Sequence, residues 1–202
     1  MITFIFVVLM LFLIPGPAVL ITISQTMRGG QKSGILTGVG IAVGDLLHTT
    51  AAVLGLSAIL MTSALAFEAV KYAGAAYLIY LGVRALVQKK AKQTPAVPQL
   101  STGSSFRQGL LIELLNPKTS LFFLAFLPQF VQRDGGSVTM QLLVLGLTFV
   151  LMSILYTTAL VLLSGAIGKR LMQQTRQTSG WLGKAVGLVY ISLGIKLALQ
   201  TR

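Results

Sequence analysis

The sequence places ionisable side chains inside segments that are otherwise apolar, where such side chains are expensive. Asp45 lies about eleven residues into a long apolar stretch, at a depth of ~17 Å if that stretch is helical. His48 follows three residues later and therefore shares the same helical face. An acid and an imidazole so placed could accept a proton or an ammonium group. The alternative is a buried polar pair that only fastens this helix to its neighbours.

A second polar cluster interrupts an apolar segment later in the chain, at Glu113, Asn116, Pro117 and Lys118. Pro117 lacks a backbone donor and would free the carbonyl of Glu113, four positions earlier. Freed carbonyls and helix ends coordinate ions in the broken helices of transporters, which predicts a site-forming role here. A simple kink is the alternative, and for Lys118 a role only as charge partner of Asp45 or Glu113 is equally open.

The first apolar segment is broken in a similar way by Pro15, Gly16 and Pro17. Two amide donors are lost within three residues, and glycine adds conformational freedom, so the helix should break or kink there. Pro17 lies ten residues before Met27, at a depth of ~15 Å. Two helix breaks and Asp45 thus converge on one depth, which predicts that they surround a binding site.

The amino-acid composition indicates whether these groups lie in a soluble protein or in a membrane protein. The chain has 202 residues, of which 54% are hydrophobic and 10% charged, and its mean hydropathy is +0.84. A soluble domain carries about 25% charged residues, and a disordered chain has low hydrophobicity. The chain is therefore predicted to be an integral membrane protein.

The chain has no cysteine, which excludes disulfides, thiolate nucleophiles and cysteine metal sites. We expect no cofactor and no bound metal.

A bilayer of ~30 Å requires about 20 mostly apolar residues per helix. Six stretches meet that length, and continuous apolar runs favour helices over barrel strands. The predicted fold is all-α, an integral membrane bundle of six transmembrane helices. The first stretch has no basic residue ahead of Ile2 and no convincing cleavage pattern, so we expect it to be retained. The stretches lie near residues 2–27, 34–62, 67–88, 108–131, 139–168 and 180–200.

The distribution of basic residues predicts the orientation. The net charge is +12, and ten Lys and Arg residues lie in the connections after spans 1, 3 and 5, against only Arg133 and Arg202 on the other side. The positive-inside rule then places both termini in the periplasm. It also accounts for the basic excess, so nucleic acid is not expected as a partner. Residues 89–106 are predicted to form a cytoplasmic linker between two three-helix halves of a single transport domain, 1–88 and 107–202.

An internal repeat relates the two halves. Because each half contains an odd number of spans, the halves would insert with opposite orientation, which is a transporter signature. Chance similarity between membrane helices is the alternative. The matching motifs are Lys71-x-x-Gly74-x-x-Tyr77 with Leu81-Gly82, and Lys184-x-x-Gly187-x-x-Tyr190 with Leu193-Gly194.

Two further sets of residues have helix packing as their expected role. Gly34, Gly38, Gly40 and Gly44 form small-x-x-x-small pairs that allow helices to approach closely. Tyr77, Tyr80, Tyr156 and Tyr190 could line a cavity, although packing or interfacial positions are more common for tyrosine.

The sequence resembles the LysE/RhtB family of bacterial amino-acid exporters over nearly its whole length. The resemblance rests on Pro15-Gly16-Pro17-Ala18, Asp45, Gly74-Ala75-Ala76-Tyr77-Leu78, Asn116-Pro117-Lys118 and Pro128-Gln129-Phe130. It implies a six-span inner-membrane protein that exports amino acids or close derivatives, using the proton gradient as an antiporter. One departure is Ile14, where the family pattern has glycine.

An amino-acid exporter is therefore the predicted function, with the amino acid, protons and the bilayer as partners and homo-oligomerisation left open. The resemblance also covers exporters of metal ions or other small compounds, and Asp45, Glu113 and Asn116 would suit a hard cation. An intramembrane hydrolase is the remote alternative. His48 has no nearby serine, and by helix rise Glu113 should lie ~10 Å shallower than Asp45, too far for an acid pair.

Overall fold

The computed structural model describes residues 1–13, 15–62, 64–87, 105–132, 135–177 and 181–199. Within these ranges the chain is all helical and contains no strand. Between α5 and α6 the chain continues as a π-helical stretch, Phe122–Phe126, and a 3-10 turn, Leu127–Phe130. The α-helices are α1 Ile2–Leu13, α2 Pro17–Thr62, α3 Ala64–Val87, α4 Ser105–Leu114, α5 Pro117–Leu121, α6 Val138–Gln177 and α7 Trp181–Leu199.

A break at Gly30 divides α2 into two helices, residues 17–29 and 31–62. Gly30 has φ 73° and ψ −176°, a combination that only glycine adopts readily. The Ser33 hydroxyl, just after the break, donates to the side-chain oxygen of Gln25 at 3.2 Å. The two helices are therefore tied together across their junction.

Helix α6 packs antiparallel against the second part of α2. Each contact brings a glycine of one helix against a side chain of the other, so small residues set the close spacing of the two helices. The contacting pairs are Gly34 with Val161, Gly38 with Thr157, and Thr49 with Gly146.

Helix α4 makes the tightest approach to α2. A Cβ atom added to Gly40 would lie 2.1 Å from the carbonyl oxygen of Phe106, and one added to Gly109 would lie 2.2 Å from that of Thr37. A Cβ on Gly44 would lie 2.8 Å from the Cβ of Glu113. The packing role predicted for Gly40 and Gly44 is thus confirmed.

Helices α3 and α7, which carry the repeated motif, pack against each other. A Cβ on Gly82 would lie 2.6 Å from the carbonyl oxygen of Gly187. Gly74 and Gly187, which occupy equivalent positions in the two motifs, are both buried. The motif glycines therefore provide helix contact.

An aromatic core joins α1, the π-helical stretch and α6. Phe4 lies 6.1 Å from Phe122 and Phe149 lies 4.9 Å from Phe123, measured between ring centroids. On the outer face of α6 the large apolar side chains are exposed, as expected for a surface that meets lipid. They include Leu143, Val144, Leu147, Leu151, Leu155 and Leu162.

By length and hydropathy, two stretches of the described chain qualify as candidate membrane spans, Pro17–Gly55 and Val138–Ser164. Ser105–Leu114 together with Pro117–Phe130 adds a third if the bent pair is one broken span. The arrangement of six spans stays a prediction. Most of the predicted 89–106 linker lies outside the described residues, and its last two residues already belong to α4.

Candidate functional site

The first helix break separates α1 from α2. Helix α1 ends at Leu13, and Pro17 occupies the first position of α2. The carbonyl oxygen of Gly16 accepts the first helical hydrogen bond, from the amide of Leu20 at 3.2 Å. Proline suits this position because the first helical amides have no intrahelical acceptor.

The second break separates α4 from α5, and here an asparagine side chain caps the start of the new helix. The Asn116 side-chain oxygen accepts from the amide of Lys118 at 3.2 Å, and its carbonyl accepts from the amide of Ser120 at 3.0 Å. Pro117 again takes the first helical position. The helices on either side of the break are bent by 44°. Asparagine capping, and not proline alone, therefore fixes this break.

Glu113 is the centre of a hydrogen-bond network at the second break, and it is only 3% exposed. Its carboxylate accepts from the hydroxyl of Thr119 and, at 3.3 Å, from the side-chain amide of Asn116. Its carbonyl, which was predicted to be freed by Pro117, accepts from the amide of Asn116 at 3.0 Å and from His48 Nε2 at 3.1 Å. Since a carbonyl only accepts, His48 carries its proton on Nε2.

The hydrogen bonding of Asp45 differs from that of Glu113. Its side chain is 0% exposed, and neither carboxylate oxygen has a hydrogen-bond partner among the described residues. The charge of Glu113 is close enough to act on it, and the side chains of Ser153 and Glu113 approach its carboxylate without reaching hydrogen-bond geometry. Buried carboxylates are normally hydrogen-bonded or paired, since desolvating a charge is expensive. Asp45 is therefore a candidate for binding a ligand or a proton.

The depth difference expected between Asp45 and Glu113 is wrong. Ser105, the first residue of α4, is hydrogen-bonded to Ser33 near the start of the second part of α2. From this shared level α4 runs beside α2, and Gly44 lets the Glu113 side chain lie next to Asp45. The predicted ~10 Å separation counted the rise of this helix from residue 108, whereas α4 begins three residues earlier, at Ser105 beside Ser33, which places Glu113 deeper along α2.

A cavity with an empty volume of about 430 Å³ joins the two breaks. This volume includes space that is open to solvent. The wall includes five of the predicted site residues: Gly16, Asp45, Glu113, Asn116 and Lys118. The other four, Pro15, Pro17, His48 and Pro117, are not part of the wall.

Lys118 links the two breaks across this cavity. Its Nζ lies 3.8 Å from the position a Cβ atom would take on Gly16. It also interacts electrostatically with Glu113. The wall therefore contains a cation beside the start of α2, and an acid without hydrogen-bond partners at Asp45.

Several residues of the wall were not predicted. Ser153 and Thr157 lie on α6, and Thr119 follows the second break. The spacing of Ser153 and Thr157, four residues apart in an apolar helix, is a signal that could have indicated a shared polar face. Tyr156, for which packing was the favoured role, also lies in the wall.

The remainder of the wall is apolar, formed by Leu11, Phe12, Ala18, Val19 and Ile41. The described part of the chain contains no group of three His, Cys, Asp or Glu side chains that could hold a metal ion.

The described residues form helices with apolar outer surfaces, two helix breaks and a cavity between them that contains charged groups, an arrangement typical of membrane transport proteins. The sequence profile of the LysE type translocator family matches residues 9–201. The chain belongs to this family.

The chain is also similar to proteins that are named as membrane proteins or as an efflux protein. An uncharacterized membrane protein of Bacillus subtilis, YrhP, is 33% identical over 201 residues, which cover 95% of this chain and 94% of the relative. An uncharacterized membrane protein of Pseudomonas aeruginosa is 31% identical over 205 residues, covering 98% and 94%. A leucine efflux protein of Salmonella choleraesuis is 28% identical over 188 residues, covering 92% and 88%. No solved structure matches the chain significantly.

Proposed function

We propose that this protein is a secondary active exporter that exchanges an amino acid, or a close derivative, for protons across the bacterial inner membrane. The observation that carries the proposal is Asp45, a fully buried acid without a hydrogen-bond partner among the described residues, in the wall of a cavity between two broken helices. The family and the relative named as a leucine efflux protein support an amino acid as the substrate.

The cavity wall offers complementary charge to both ends of a zwitterion. The ammonium group would pair with Asp45, whose oxygens are not used by the described residues. The carboxylate would lie between Lys118 and the start of the helix at Pro17, where the amides and the helix dipole favour an anion. Glu113 is already satisfied by Thr119 and Asn116, so it would position the break and leave the ammonium to Asp45.

Proton exchange is favoured by the absence of hydrogen-bond partners at Asp45. A buried carboxylate without donors is unfavourable until a positive group neutralises it. A proton and a substrate ammonium group can each do so at Asp45, but they cannot do so together. Binding of one therefore displaces the other, and this competition is the requirement for antiport.

The topology proposed for this function has six spans in two inverted halves, with both termini in the periplasm. Each half would begin with a helix broken at a proline in the first helical position, Pro17 or Pro117. Each would end with a motif helix, α3 or α7, and these two helices pack together. The basic residues at Arg28, Lys32 and Arg107 lie on the side predicted to be cytoplasmic.

The test measures proton-driven uptake of labelled leucine and other amino acids into everted vesicles, which corresponds to export from the cell. Asp45→Asn keeps size and hydrogen-bonding capacity but removes the charge, and we expect it to abolish uptake while the protein still inserts. Glu68→Gln is the matched control, because Glu68 is an exposed acid on α3. Wild-type uptake by Asp45→Asn, or uptake that a protonophore does not affect, would reject the proposal.

A further inference from the structure

One side of the cavity is a pair of stacked aromatic rings. Phe12 of α1 and Tyr156 of α6 lie 5.2 Å apart between ring centroids, with an interplanar angle of 18°, and both line the cavity. Phe12 also packs edge-on against Phe149 at 5.2 Å, and Phe149 packs in turn against Phe123. The pair is therefore held from behind by the aromatic core and presents a preformed apolar surface.

This surface lies at a fixed distance from the charged part of the cavity. Tyr156 is three residues after Ser153, which interacts with Asp45, so the two positions are about one helical turn, or ~5 Å, apart on α6. An amino acid whose ammonium group pairs with Asp45 would then direct its side chain along the helix toward the rings. Leu11, Val19 and Ile41 add aliphatic surface to the same cavity.

The charges of the cavity leave no partner for a charged substrate side chain. The whole sequence has four acidic residues, and among those that the structure describes only Asp45 and Glu113 line the cavity. Glu113 is already bonded to Asn116 and Thr119, and Asp45 would hold the substrate's own ammonium group. Lys118 would likewise be matched by the substrate's carboxylate. A second charge on the substrate would be desolvated without compensation.

We infer that Phe12 and Tyr156 determine the specificity of the site, and that they select amino acids with a neutral, apolar side chain large enough to cover the stacked rings. This inference rests on the proposed function and adds to it both the substrate's side-chain class and the residues that read it. Glycine and alanine leave the rings uncovered, whereas a branched aliphatic side chain buries apolar surface against them.

The experiment measures equilibrium binding of alanine, leucine, lysine and glutamate to the purified full-length protein in lipid nanodiscs. Wild-type protein should bind leucine at least about tenfold more tightly than alanine, as expected for burial of extra methylene groups. Lysine and glutamate should bind more weakly than leucine. Phe12→Ala and, as a second route, Tyr156→Ala should reduce the leucine preference at least about fivefold, with alanine affinity within about twofold of wild type.

Two controls separate specificity from general packing. Tyr156→Phe keeps the ring and should retain the leucine preference. Phe130→Ala removes an aromatic ring that packs on Phe4 and Phe126 but does not line the cavity, and it should also leave the preference unchanged. An equal loss in Phe130→Ala would overturn the inference.

The remaining outcomes distinguish failure of this specificity from failure of the proposed function. An unchanged leucine preference in both alanine variants would overturn the inference, and so would tighter binding of lysine than leucine, which would indicate a cation on the rings. Wild-type binding of alanine and leucine with equal affinity would reject the specificity but preserve the amino-acid site. Absence of binding for every amino acid would instead reject the proposed function.

Discussion

The close approach of α4 to α2 at Gly40 can be tested by adding a single methyl group. In Gly40→Ala the new Cβ would lie 2.1 Å from the carbonyl oxygen of Phe106 and 2.8 Å from the backbone nitrogen of Leu110. Both are backbone atoms, so the helices must separate. Overpacking of this kind costs about 1–3 kcal/mol. We expect reduced stability and, because Glu113 lies on the same helix interface, weaker substrate binding.

Gly55→Ala is the matched control, since Gly55 is in the same helix and a Cβ there has no neighbour within 4 Å. Both variants gain about 1 kcal/mol of helix propensity. This gain cancels in the comparison, so the overpacking cost of about 1–3 kcal/mol should separate the two variants. At about 2–4 °C per kcal/mol for a chain of this length, their melting temperatures should differ by roughly 2–12 °C.

The assay is thermal unfolding of the two purified variants in the same detergent, followed by amino-acid binding. Gly40→Ala should melt below Gly55→Ala, and Gly55→Ala should melt at or above the wild type. Equal melting temperatures for the two variants, with unchanged binding, would refute the close approach of α4 to α2 at Gly40.

Three further predictions concern the breaks and the connection before α6. His48→Ala should lower the free energy of unfolding by about 0.5–1.5 kcal/mol in denaturation assays. It should leave leucine affinity nearly unchanged, because His48 bonds the Glu113 carbonyl and does not line the cavity. Asn116→Ala should cost about 0.5–2 kcal/mol, more than Pro117→Ala in the same assay, because the asparagine caps the second break. Gln141→Ala removes three hydrogen bonds to the backbone ahead of α6, so limited proteolysis there should accelerate while transport stays near the wild-type rate.

The helix breaks and the buried acid were accessible to sequence reasoning because their causes are local. Proline removes a donor wherever it stands, and an acid in a long apolar segment is costly in any bundle. Pro17, Pro117 and Asp45 could therefore be recognised without knowing which helices are neighbours.

The partners of these residues could not be derived in the same way. The distance from Asp45 to Glu113 depends on where α4 starts relative to α2, and the Ser33–Ser105 contact that sets this level joins residues far apart in sequence. The contribution of Ser153 depends on the rotation of α6, because isolated Ser and Thr residues in helices usually bond their own backbone. The network that joins His48 to the Glu113 carbonyl is likewise a tertiary contact.

The proposed function requires a substrate ammonium group and a proton to compete for Asp45. Its most direct test is proton release when leucine binds to the purified protein in weakly buffered solution, measured together with binding by calorimetry in buffers of different ionisation enthalpy. We predict that up to about one proton leaves for each leucine bound, rising as pH falls and Asp45 becomes protonated in the free protein, with Glu68→Gln behaving like the wild type. Leucine binding without proton release at any pH would contradict the account.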